Sequence, residues 1–282
     1  MKITAKAPVR IDFAGGTTDI YPYTKKHEGF VLNAGINRYV YGSLITQNHK
    51  TMLEYHADIP TSSGLGTSSV MNVVWLALTT KVRDKLKLAE MAYRIERATS
   101  VVGGKQDEYL GAFGKINLMR FKGEKPAKVE QLKLNPKFIK ELESKLFLYY
   151  TGPRSSSKFN DLVISRIVKG DKKTYNTLNQ IGNLAKSMKK VLMKKDLIRF
   201  SEMLNEEWEL RKGLHKDITN KKLENKINFA KKHGAFAAKV CGAGGGGCIL
   251  FYADNKKELI RKMGSNVIDF KFDNEGLVVK GI

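Results

Sequence analysis

The spacing of apolar residues changes several times along the chain, and each change predicts an element. Residues 2–13, KITAKAPVRIDF, read as a strand, and the polar AGGTTD at 14–19 as a turn. FVLNAGI and RYVYGSLIT within 30–47 are rich in β-branched and aromatic residues and predict strands, with a further one at 51–57. Pro60 to Gly66 is a polar, glycine-containing loop. From Ser68 the pattern becomes a long apolar run, MNVVWLALTTKV, suited to a buried helix. Residues 86–99 predict an amphipathic helix, because Leu88, Met91, Ala92, Ile95 and Ala98 recur at spacings of three and four. GGKQDE at 103–108 reads as a loop, and 114–121 as a strand.

KLFLYYT at 145–151 predicts a strand closed by Gly152-Pro153. Helices are expected at 156–169, 174–193, 196–211 and 219–233. Residues 235–241 and 248–253 flank the run GAGGGG, and 256–282 fits a short helix with one or two strands. There is no internal repeat. The charged, proline-containing stretch 122–136 suggests a boundary within 122–145, dividing the chain into units 1–140 and 141–282.

Composition narrows the class. An apolar fraction of 42% in 282 residues is ample for a core and argues against intrinsic disorder. The absence of an 18-residue uncharged apolar run argues against a membrane span. The start, MKITAK, runs into patterned sequence without an apolar signal region, so a cytoplasmic protein is expected. Cys241 and Cys248 do not make a disulfide scaffold and have no zinc-type spacing. The net charge of +22 raises nucleic acid as a partner. Its distribution tempers that: residues 1–120 hold 16 basic and 10 acidic residues, and 121–282 hold 34 and 18. Most of the excess is Lys interleaved with Leu, Ile and Phe, as on the solvent faces of helices, where it also attracts anions. No zinc-finger, RNP-type or basic-zipper pattern accompanies it. Nucleic acid is not the expected partner and stays the alternative.

Three glycine segments carry candidate chemistry. Gly242-Ala243-Gly244-Gly245-Gly246-Gly247 satisfies G-x-G-x-x-G, but CILFYA follows, a strand and not the helix a dinucleotide fingerprint needs. A hairpin letting backbone approach a ligand fits better; a flexible turn is the plainer alternative. Pro60 to Ser69 is a Ser/Thr/Gly loop leading into a helix, whose first turn offers free N–H groups and a positive dipole end to phosphate. Ordinary N-capping is the alternative, but that needs one hydroxyl residue. No G-x-x-x-x-G-K-[ST] occurs. In Gly103-Gly104-Lys105-Gln106-Asp107-Glu108, an acid beside a lysine is a candidate general base, or else the N-cap of a helix at 108–113. Glu96 lies eleven residues earlier; two carboxylates, one for Mg²⁺ and one for an acceptor hydroxyl, are what phosphoryl transfer requires.

Together these segments resemble the GHMP kinase superfamily. The first motif is similar to Ala7–Asp19, the phosphate loop to Pro60–Ser69, and the third to Lys239–Cys248, in family order. RIDFAGGTTD, GGKQD and Tyr150-Thr151-Gly152-Pro153-Arg154-Ser155 resemble the sugar-kinase branch that includes D-glycero-D-manno-heptose 7-phosphate kinase and L-fucose kinase. The loop carries Ser62-Ser63 where many members have Gly or Ala. The resemblance implies an α+β, two-part fold: an N-terminal ribosomal-protein-like α/β unit and a C-terminal ferredoxin-like unit, with ATP between them.

It also implies roles. Asp107 would be the catalytic acid-base group, with Arg10 beside the transferring phosphoryl group. Ser62, Ser63, Gly64, Leu65, Gly66, Thr67 and Ser68 would hold the nucleotide, and Ser68 and Glu96 the Mg²⁺. Asp19, Thr18, Gly16, Lys105, Arg154, Gly244 and Gly245 would face the acceptor, a sugar or sugar phosphate. Heptose 7-phosphate, phosphorylated at its anomeric hydroxyl, is the expected substrate; fucose, galactose and mevalonate-type acceptors are the alternatives. A homodimer is compatible with all of this.

Overall fold

The computed structural model describes residues 1–60, 62–99, 103–153 and 158–281, with 158–160 by backbone alone. Its first sheet contains six antiparallel strands. These are β1 (Lys2–Ala14), β2 (Gly29–Gln47), β3 (Lys50–Ala57), β4 (Ile116–Phe121), β5 (Lys128–Gln131) and β10 (Val278–Lys280), in the order β10-β1-β2-β4-β5, with β3 also on β2. The two strand patterns expected within 30–47 are one strand of 19 residues. Its first part, 29–34, pairs with β4, and its last part, 40–47, with β3. One long strand thus serves two neighbours on the same edge.

The helices of this half are α1 (Tyr21–Thr24), α2 (Thr67–Thr79), α3 (Lys85–Ala98) and α4 (Gln106–Phe113). Helix α2 is apolar on most sides because it lies between the sheet and α3 and α4; Val70, Val73, Val74, Leu76, Ala77 and Leu78 are all buried. Helix α5 (Pro136–Lys145) follows β5. It lies in a stretch with no predicted helix, although Asn135 accepts from Lys137 N at 2.8 Å and Pro136 opens the first turn, a usual start signal. β5 likewise lies inside the charged connection.

The second sheet is β7-β8-β6-β9, from β6 (Leu146–Tyr150), β7 (Ala235–Val240), β8 (Cys248–Ala253) and β9 (Val267–Ile268). With α10 (Lys256–Met263) before β9, its strand order is that of a ferredoxin-like βαββαβ unit. Four helices stand where that unit has its first one: α6 (Lys158–Val168), α7 (Lys172–Met193), α8 (Leu197–Lys212) and α9 (Lys221–Lys232). Helix α7 packs on β1 and β2, and α8 on β7 and β1, so the two halves share a core. The last strand, β10, pairs with β1, with Thr4 opposite Lys280. The chain therefore returns to its first sheet, and no single division near residue 140 separates the two sheets. Among the described residues no helix is long and apolar enough to cross a membrane.

Phe200 on α8 shows how the halves meet. It is fully buried, edge-on to Phe13 of β1 at 5.3 Å and to Tyr252 of β8 at 6.5 Å. Phe200→Ala should lower the unfolding free energy in urea by about 3–5 kcal/mol, as large cavities do. Ile198→Ala, on the exposed side of the same helix, should cost less than about 1 kcal/mol. Equal costs would show that this contact does not join the halves.

Candidate active site

Between the halves lies a cavity of about 400 Å³, walled by β1, the turn after it, the loop 62–66, the starts of α2 and α4, Glu96, Arg211 and Gly242-Ala243. Helix α2 opens onto it. Its N-cap is Gly66, with φ of 77°, and no side chain caps the first turn, nor does that turn hold an acidic residue. The hydroxyls of Ser63 and Thr67 are buried there without a hydrogen-bond partner. The dipole end, the free N–H groups and the orphaned hydroxyls all suit a phosphate chain.

The loop keeps its shape by backbone packing. Ser63 O accepts from Cys248 N at 2.8 Å, and a Cβ on Gly64 would lie 2.7 Å from Cys241 O. A Cβ on Gly242 would likewise lie 2.7 Å from Gly64 O. The glycine run after β7 is thus a mould for the phosphate loop. Only Gly242 and Ala243 of that run line the cavity.

At the start of α4, Asp107 receives Arg10 in a forked pair, Nε–Oδ1 2.7 Å and Nη2–Oδ2 3.1 Å. Arg10 Nη1 donates to Gly64 O at 2.6 Å, so one guanidinium ties the carboxylate to the phosphate loop. Burial opposes the Arg10 charge, but Asp107 and Asp12 outweigh it and raise its pKa. A Cβ on Gly66 would lie 2.7 Å from the Asp107 carboxyl carbon, so this helix start and that acid are in close approach. Glu96 accepts from Ser69 Oγ at 2.7 Å, and burial raises its pKa. Behind it Glu108 is wholly buried beside Glu96; burial and then the charges of Glu96 and Asp107 push its carboxyl well above the usual range, which favours a protonated Glu108 hydrogen-bonded to Glu96.

A buried ion cluster joins this site to the second half. Lys239 of β7 donates to Asp12 Oδ2 at 2.9 Å and to its carbonyl at 2.7 Å, and lies 3.3 Å from Glu207. Glu207 holds Arg211, whose Nη2 also donates to Gly16 O at 3.1 Å. Burial pushes Asp12 up, yet Lys239, Arg10 and Arg211 overcome it and hold its carboxyl at about 2. Sequence reasoning assigned no role to Asp12, Lys239, Glu207 or Arg211. The Glu207/Arg211 spacing of four on a helix was the one available signal.

Residues 36–115 match the GHMP kinases N terminal domain, and residues 188–269 the GHMP kinases C terminal family. The chain is 30% identical to D-glycero-alpha-D-manno-heptose 7-phosphate kinase of Campylobacter jejuni, over 98% of each protein. The chain belongs to the GHMP kinase family. Its fold also superposes on a D-glycero-D-manno-heptose 1-phosphate kinase from Bacteriodes thetaiotaomicron, with a TM-score of 0.77, 27% identity and 99% of each chain covered. Lactococcus lactis galactokinase shares the fold at a TM-score of 0.75 and 16% identity, over 100% of this chain and 95% of that one.

In this GHMP kinase the cavity collects Arg10, Gly16, Asp19, Ser62, Ser63, Gly64, Gly66, Thr67, Ser68, Glu96 and Asp107 from the expected residues. Five others are placed elsewhere. Lys105 turns away: its Nζ donates to Glu90 at 2.8 Å and to the carbonyls of Glu124 and Lys125, which uses all its protons. Thr18 is buried beneath the turn, donating to Gly15 O and accepting from Phe30 N. Gly244 and Gly245 form a turn against Ile218, with Gly245 N on Ile218 O at 2.8 Å. Leu65 is a core residue, and its carbonyl accepts from Arg10 N. Arg154 lies outside the described residues. The serine on Glu96 is Ser69, while Ser68 faces the cavity.

The loop reading of 103–108 is half right, because α4 begins at Gln106. Asp19 caps it from across the fold, accepting from Gln106 N at 3.0 Å, and only a glycine at 104 leaves room for that carboxylate. Burial is the main cause that lifts the Asp19 pKa from 3.8 to about 6. An acid whose folded pKa is raised makes the folded state less stable as pH climbs from about 4 to 6, after which the loss is constant. Asp19→Asn removes that ionisation. Relative to wild type it should gain on the order of 3 kcal/mol of stability between pH 4 and pH 7. Urea melts of both proteins across that range test this; parallel pH profiles would exclude an ionisation of Asp19 near 6.

Proposed function

We propose that this GHMP kinase transfers the γ-phosphoryl group of ATP to the anomeric hydroxyl of a heptose 7-phosphate. The observation that carries the chemistry is the forked Arg10–Asp107 pair beside the uncapped start of α2, which sets a carboxylate next to a phosphate cradle. Full-length similarity to the Campylobacter heptose 7-phosphate kinase supports the acceptor. Asp107 orients the acceptor hydroxyl and takes its proton as the oxygen attacks the γ-phosphorus and the bond to the β–γ bridging oxygen breaks, releasing ADP. Arg10 fixes that carboxylate and offsets charge on the phosphoryl oxygens. The N–H groups of Thr67, Ser68 and Ser69 hold the phosphates.

Ser68 and Glu96 would hold Mg²⁺, for they offer hard oxygen donors at the start of α2. Mg²⁺ is usually held by one or two protein oxygens together with substrate phosphates. When bound, the ion offsets the charge of the β- and γ-phosphates.

An ADP-coupled assay over heptose 7-phosphate, free fucose, galactose and mevalonate tests the acceptor, with ³¹P NMR of the product to locate the new phosphate. Turnover confined to a free sugar or mevalonate would reject the heptose phosphate. Asp107→Asn should lower kcat by ~10²–10⁴-fold while leaving ATP affinity near wild type; retention of half the wild-type kcat would remove Asp107 as the base. Ser68→Ala and Glu96→Gln should each raise the Mg²⁺ concentration for half-maximal rate at saturating ATP. An unchanged metal dependence in both would remove them as ligands.

A further inference from the structure

One corner of the cavity lies between the turn after β1, the start of α4 and the end of α8. Gln106 lines it; its backbone N–H is taken by Asp19, but its carboxamide Oε1 is buried and accepts no hydrogen bond. Arg211 lines it too. Its Nε and Nη2 are spent on Glu207 and Gly16 O, whereas Nη1 has only a long contact, 3.5 Å to Thr17 Oγ1. Two residues that line the same cavity thus carry an unpartnered acceptor and a donor group held only by one long contact.

Gly16 keeps that space open. Its φ lies outside the left-handed region, so the backbone there does not demand glycine. A Cβ would instead crowd Arg211 Nη2 at 3.1 Å, Asp12 Oδ2 at 3.1 Å and Gln106 Nε2 at 3.4 Å.

Charge decides what fits. Both arginines among the described lining residues are already matched, Arg10 by Asp107 and Arg211 by Glu207, with Asp12 4.0 Å from Arg211 and Asp19 on the Gln106 N–H. A phosphate or carboxylate placed here would face carboxylates with no cation left to pair it. A hydroxyl satisfies both free groups, donating to Gln106 Oε1 and accepting from Arg211 Nη1.

We propose that Gln106 and Arg211, kept apart from other side chains by Gly16, form a subsite that binds one neutral hydroxyl of the acceptor and rejects an acidic group in the same place. This rests on the sugar-kinase reading above, and it puts the acceptor's own phosphate outside this corner.

The test compares wild type, Gln106→Leu, Gln106→Glu and Gly16→Ala on heptose 7-phosphate, its single-deoxy analogues and glucuronate, by kinetics and by calorimetric binding of the acceptor. In wild type, one deoxy analogue should lose ~10-fold or more in kcat/KM, because its partners are left unpaired, and glucuronate should be refused. Gln106→Leu should raise the acceptor KM by a similar factor, leave the ATP KM within about 2-fold, and treat that deoxy analogue like the parent. Gln106→Glu keeps an acceptor oxygen and should retain the discrimination. Gly16→Ala should weaken acceptor binding and lower Tm together, because its Cβ presses on Arg211 and Asp12 of the ion cluster, so the two Gln106 variants decide the test. Equal deoxy penalties in wild type and Gln106→Leu, with sugar turnover intact, would overturn the subsite alone. Failure of wild type to bind or phosphorylate any sugar would overturn the sugar-kinase reading and the subsite with it.

Discussion

Everything in the cleft depends on one buried ion cluster. Asp12 sits at its centre, held by Lys239 at 2.9 Å and flanked by Arg10 at 3.7 Å and Arg211 at 4.0 Å, with Asp107 and Glu207 on the outer sides. Three cations and three anions alternate from the first sheet through α8 to the second. Burying so many charges is unfavourable by itself, and the cluster survives because every charge meets an opposite one. Loss of one partner would leave an uncompensated buried charge, at a typical cost of about 3–5 kcal/mol. The same contacts that join the halves therefore aim Arg10 at Asp107 and Arg211 at the cavity. Assembly of the fold and assembly of the site are one event.

The phosphate loop follows a similar economy. Besides Arg10 on Gly64 O, its support is backbone: Ser63 O and Gly64 lie directly on the backbone of Cys241, Gly242 and Gly247. Backbone on backbone is a closer and stiffer support than side-chain packing, and it works only without Cβ atoms at the contact. The glycine run is thus a structural partner of the loop 62–66.

Around this frame the protein tolerates several locally unfavourable groups. The first turn of α2 is uncapped, Ser63 and Thr67 hydroxyls lack partners, the Asp19 carboxyl is buried with its pKa pushed up, and Glu108 is sealed behind Glu96. An uncapped, dipole-bearing helix start is less stable alone and more stable with an anion against it. Free donors and acceptors gathered in one cleft are what a ligand completes.

Much of this was legible from residues alone. Spacing of three and four placed α3 and α7 to α9 within a few residues, and β-branched runs placed most strands, because those patterns report which face is buried. The motifs around Arg10, Gly66, Glu96 and Asp107 pointed to phosphoryl transfer, because backbone conformation and side-chain chemistry there are set within short segments. Direction and distance were not legible. Lys105 sits one residue from Gln106, yet its ammonium reaches Glu90 and away from the cleft, a choice made by α3 and the 124–125 backbone. Arg211 and Lys239 look in sequence like other basic residues of a chain with 50 of them. Only the meeting of β1, α8 and β7 buries these two, because a charge pair such as Lys239 with Asp12, 227 positions apart, is a property of packing, which no local pattern encodes.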